Sequence, residues 1–164
     1  MFLELLAVIF AGFAGAGAML LLTRVTRLPK WLIPVGAGAA MLAATISSEY
    51  SWYGRMADNL PEGLTVAQSV TSSAPWRPWT YVVPMTDRFV AVETGRLRPN
   101  METPQTFLTK LYFFGRWKPV TIVDIMIDCD AGRRADPALG DDSPPVWRDV
   151  GADDPIVQTV CEAA

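Results

Sequence analysis

Two long apolar runs separated by a short basic segment constrain this chain more than any other feature. Residues 2–22 are apolar except for Glu4, and residues 31–46 form a second run rich in Gly and Ala. Arg24, Arg27 and Lys30 lie between them. Roughly 20 apolar residues, rising about 1.5 Å each, span the hydrocarbon core of a bilayer. The first run has that length, and the second reaches it with Ser47 and Ser48. The expected fold is an α+β membrane protein. A transmembrane helical hairpin (residues 1–49, spans at about 2–22 and 31–48, loop 23–30) precedes a small β-rich antiparallel domain over residues 50–164.

Basic residues beside membrane segments stay in the cytoplasm. All three bases of the hairpin lie in its loop, whereas the flank after the second run opens with Glu49 and has no base until Arg55. The loop is therefore expected in the cytoplasm and both chain ends outside it. In a Gram-negative cell that is the periplasm, with the hairpin in the inner membrane. The first run has no basic n-region and exceeds a usual signal-peptide core, so it is expected to be retained. Arg outnumbers Lys 11 to 3, which points to a GC-rich bacterial source.

Small residues recur four apart in both runs. Gly12 and Ala16 repeat this spacing, Gly15 follows Ala11 by four, and Gly36 and Ala40 carry it in the second run. Such spacing lets helix backbones approach closely in lipid, where no hydrophobic effect drives association. These residues are expected to pack the two helices together, with small-residue surface left over for another membrane protein. Glu4 sits one turn from the chain start and reads as an interfacial carboxylate. Tyr50, Trp52 and Tyr53 follow the second run and read as an aromatic belt at the outer interface.

In the outer domain, Leu60, Leu64, Ala67 and Val70 fit one face of a short helix, with Asp58 or Asn59 as N-cap and Pro61 in its first turn. Residues 71–78 read as a turn-rich loop. In it, Trp76 and Arg77, with the adjoining Trp79, make a candidate partner-binding group, because Trp and Arg favour interface hot spots. The alternatives are rings that cover the sheet or lie on the bilayer. Strands are expected over 79–83, 89–93, 107–114 and 117–129. In the last, Thr121, Val123, Ile125, Ile127 and Cys129 share one face, and Lys118, Asp124 and Asp128 take the solvent side. From Asp130 onward Gly, Pro and Asp dominate. Ile156, Val157 and Val160 are expected to dock as a last short element.

The chemistry is bounded mainly by what is missing. The chain has no histidine, which excludes His-ligated haem, His-containing zinc sites and a His general base. From residue 50 onward 15 acidic residues face 11 basic ones, unlike a nucleic-acid surface. Asp128, Asp130, Asp136, Asp141 and Asp142 lack EF-hand spacing and enclose Arg133 and Arg134, so they read as a solvated acidic loop. Cys129 and Cys161 are the only cysteines and are expected to form a disulfide in an oxidising compartment. A hairpin followed by a β-rich outer domain resembles, in architecture only, the bacterial signal peptidases. Their Ser-x-Met-x-Pro segment is absent, so no catalytic residue is carried over.

No cofactor or metal is expected. The leading expectation is a non-enzymatic accessory or assembly subunit of a larger envelope complex, respiratory or photosynthetic among the hosts. Its partners would be the lipid bilayer and another membrane protein, not nucleic acid. The alternative is an envelope hydrolase or transport component with a carboxylate or serine site.

Overall fold

A computed structural model describes residues 2–101, 103–136 and 145–164. The chain divides into two compact units, Met1–Arg55 and Met56–Ala164.

The first unit holds helix α1 (Phe2–Thr26) and most of helix α2 (Leu32–Asp58). Both are long and apolar enough to cross a membrane, so a membrane anchor is compatible with them. They pack antiparallel, with close approaches at Gly12, Gly15, Gly36 and Ala40. A Cβ on Gly15 would lie 2.5 Å from the Ala40 Cβ and 2.7 Å from the Gly36 carbonyl oxygen. A Cβ on Gly36 would collide with the Met19 side chain, and one on Gly12 would press on Met41 at 3.0 Å. Ser48 donates a 3.1 Å hydrogen bond to Glu4, and Arg55 pairs with the same carboxylate at 3.6 Å. Glu4 is thus tied to α2.

The helices overrun the expected bounds, and the loop shrinks to residues 27–31. At the first boundary, Thr23 and Thr26 turn their hydroxyls back onto the Leu20 and Leu22 carbonyls, so α1 continues past the apolar run. In α2 nothing between Ser47 and Tyr53 breaks a helix, and Ser51 bonds back to the Ser47 carbonyl at 2.8 Å. Tyr50, Trp52 and Tyr53 therefore lie inside α2 instead of after it.

Among the described residues the second unit forms a seven-stranded antiparallel sheet: β1 (Leu64–Ser72), β2 (Met85–Glu93), β3 (Arg98–Pro99), β4 (Thr106–Gly115), β5 (Thr121–Asp128), β6 (Arg133–Asp136) and β7 (Val146–Asp149). The order is β1-β2-β4-β5-β6-β7, with β3 beside β4. Helix α3 (Pro155–Ala163) closes the chain. On one face Val92, Leu111, Ile125 and Ile127 pack with Ile156, Val157 and Val160 of α3. On the other, Phe89 and Phe114 stack with ring centroids 4.6 Å apart, and Ala91 is also buried. Full burial of each large apolar side chain is worth about 1.5–3 kcal/mol.

The expected helix around residues 60–70 is instead strand β1. Where the pairing steps from Val66 to Gln68, Ala67 is an extra residue in β1 and shifts the strand's phase; at Val70 and Thr71 the extra residue, Asp87, is on β2. Apolar positions then fall three and four apart and imitate a helical face. β-branched Thr65, Val66, Val70 and Thr71 favour the strand. Gly63 at φ +87° turns the chain into it, close against Gly95. The strand expected at 79–83 is absent. Pro78 starts a one-turn 3-10 helix over Pro78–Tyr81 and has no N–H for a ladder. Thr80, buried, donates to the Arg77 carbonyl at 2.7 Å and accepts from the Ala74 amide at 3.0 Å, which fixes the turn. The strand expected at 117–129 begins at Thr121, since residues 116–120 form the turn from β4, and Cys129 lies just beyond its end.

Candidate functional site

The Trp76–Arg77–Trp79 group occupies the loop between β1 and β2. Trp76 is 76% exposed and Trp79 40%. Arg77 is half-buried, and its Nη1 lies 3.8 Å from the Met85 sulfur. The exposed surface continues where a strand was expected: Tyr81, Val82 and Val83 are 63%, 83% and 54% exposed. Pro78 and Pro84 bracket this apolar run and are the sequence signal that it is a loop and not a core strand. From residue 73 to residue 86 the chain carries one cation and no carboxylate. An exposed contiguous apolar surface of this kind marks an interaction site more often than a single exposed side chain does.

Cys129 and Cys161 are joined, with their Cα atoms 5.8 Å apart. Cys129 follows β5, and Cys161 lies in the last turns of α3. The bond therefore fixes α3 to the sheet beside its own apolar contacts. At the start of α3, Asp154 caps the helix by accepting from the Ile156 and Val157 amides at 3.0 and 3.3 Å. Arg134 of β6 reaches the same carboxylate at 3.5 Å.

Asp128 departs from its expected place on the solvent side, being 8% exposed. Burial pushes its pKa up, but the Ala131 amide, Arg133 and the Asp130 amide outweigh that and hold it below the ordinary carboxylate value. Arg133 in turn lies over the Trp147 ring, 4.7 Å from its centroid. Asp124 stands directly opposite Lys110 in the β4–β5 register. These two carboxylates are thus set in different surroundings and do not converge on one cleft as a hydrolytic pair would. Among the described residues, no three His, Cys, Asp or Glu side chains gather in a metal-binding group. Asp141 and Asp142 of the acidic stretch lie outside the described residues.

Comparison with family models, with curated proteins and with solved structures finds no match to this chain.

Proposed function

We propose that this protein is a membrane-anchored, non-enzymatic accessory or assembly subunit of a larger bacterial envelope complex. In this reading α1 and α2 cross the inner membrane, the basic loop is cytoplasmic and the sheet domain is periplasmic. The observation that carries the proposal is the exposed run Trp76, Trp79, Tyr81, Val82 and Val83, displayed by a loop whose turn is fixed by buried Thr80. Such a surface is costly to leave in water and suits a protein partner that covers it. The apolar helices and the basic loop between them support the membrane placement.

The test is purification in mild detergent. Recovery with a stoichiometric larger complex, lost when Trp76 and Trp79 are changed to Ala, supports the reading. A solitary monomer that turns over a substrate overturns it.

A further inference from the structure

Helix α3 covers only part of its sheet face. The covered part includes the cross-strand pair Val92 and Leu111. One step along the ladder on the same face, Gln68, Val90, Phe113 and Thr121 are successive direct neighbours across β1, β2, β4 and β5. This row is the floor of an open cavity of about 590 Å³. Phe113 is 40% exposed there, while Val90 packs against the α3 core. Three strand spacings make the row about 14 Å long, enough for one extended alkyl chain lying across the strands. The volume falls within the roughly 300–1,000 Å³ of small-molecule sites.

The next row along the face brings charge to one side of this floor. Val70 stands opposite Arg88, and Arg88 opposite Gly115. Gly115 presents no side chain there, and the Lys118 stem folds back over it, its Cδ and Cβ 3.4 and 3.5 Å from where a Cβ would be. Arg88 and Lys118 both line the cavity, and neither has an ion-pair partner among the described residues. Asp87 is the one carboxylate of the lining among the described residues. The floor is apolar at its centre, Val90 and Phe113, with Gln68 and Thr121 at its ends; beside two cations with no ion-pair partner among the described residues, it is complementary to a molecule with an apolar tail and an anionic head.

We propose that this groove binds a single-chain anionic amphiphile, a fatty acid. The alkyl chain lies along Gln68, Val90, Phe113 and Thr121, and the carboxylate meets Arg88 and Lys118. None of the exposed loop residues Trp76, Trp79, Tyr81, Val82 and Val83 lines the groove, and the proposal does not depend on the docking role proposed above.

The experiment uses the full chain in phosphatidylcholine nanodiscs, with a diazirine-bearing fatty acid as probe. Its alcohol analogue and a diazirine-bearing phosphatidylglycerol are compared, and adducts are mapped by mass spectrometry. The fatty acid should label β1, β2 and β4 more strongly than the alcohol. Arg88→Glu should reduce that labelling about tenfold, equivalent to ~1.4 kcal/mol. Gln68→Trp should block it, and Asp87→Asn should increase it. Thermal unfolding matching the wild type reports that each variant is folded. Should Arg88→Glu not fold, the opposite effect of Asp87→Asn still decides the outcome. Equal labelling by acid and alcohol, adducts confined to α1 and α2, or sheet labelling by phosphatidylglycerol alone overturns the proposal.

Discussion

Arg133 grips Asp128 through Nε at 2.9 Å and Nη2 at 2.8 Å, both on the same carboxylate oxygen. The other oxygen accepts from the Asp130 and Ala131 amides at 3.2 Å each. One charged group therefore organises the turn that leads from β5 to β6. Because the folded-state pKa of Asp128 is lowered, its contribution is fully present above the unfolded carboxylate value, about pH 4. It is lost as pH falls from there through the folded value. Asp128→Asn should cost about 1.5–3 kcal/mol at pH 7, the range for hydrogen bonds to charged groups. Thermal unfolding at pH 7 and pH 3.5 measures this. The gap between wild type and variant should narrow at the lower pH, and an unchanged gap would remove the carboxylate's charge from the explanation.

The Cys129–Cys161 bond joins positions 32 apart in sequence. In the chain-entropy model a closed loop of that size stabilises the fold by roughly 3–4 kcal/mol. Cys129→Ser with Cys161→Ser should lower the unfolding temperature and release α3 before the central strands. Hydrogen exchange at Val157 and Val160 reads the release. Alkylation without reductant, in protein taken directly from the envelope, should label neither thiol in the wild type.

What could be read in the chain beforehand follows from how local each signal is. The apolar runs state both helices, because membrane-length hydrophobicity needs no partner to be recognised. β4 and β5 were readable from alternation, as in Thr121, Val123, Ile125 and Ile127. β1 was not, since its irregular pairing with β2 destroys the period that identifies a strand. Tyr81, Val82 and Val83 have strand propensity yet stand exposed, because Pro78 and buried Thr80 commit the segment to a turn. Arg88, Gly115 and Lys118 could not be grouped from sequence. Register across β2 and β4 brings the first two together, and the turn after β4 returns the third.

Glycines in α1 offer a controlled test of helix packing. Gly15 is crowded by Ala40 and Gly36, whereas a Cβ on Gly17 meets nothing within 4 Å. Gly15→Leu should destabilise the hairpin by about 1–3 kcal/mol, the usual cost of overpacking. Gly17→Leu should be near neutral. Unfolding of the full chain in a graded mixture of mild detergent and dodecyl sulfate compares them. Equal effects would mean that the close approach at Gly15 contributes nothing specific.

The last prediction concerns the side of the membrane. Arg24 in the last turn of α1 and Arg27 and Lys30 in the loop after it form one basic cluster, and α2 carries no base before Arg55. Clustered bases at the ends of short spans hold their flank in the cytoplasm, and acidic residues contribute little to orientation. A reporter inserted beside Leu28 should thus be active only if it works in the cytoplasm. One fused after Ala164 should be active only if it works in the periplasm. Changing Arg24, Arg27 and Lys30 together to Gln should weaken this preference and give a mixed population. The disulfide supplies an independent readout, because Cys129 and Cys161 oxidise readily only outside the reducing cytosol. A mixed population should therefore contain reduced chains in proportion to the inverted fraction. Full periplasmic-reporter activity and full oxidation after loss of all three bases would show that the loop charges do not set the orientation.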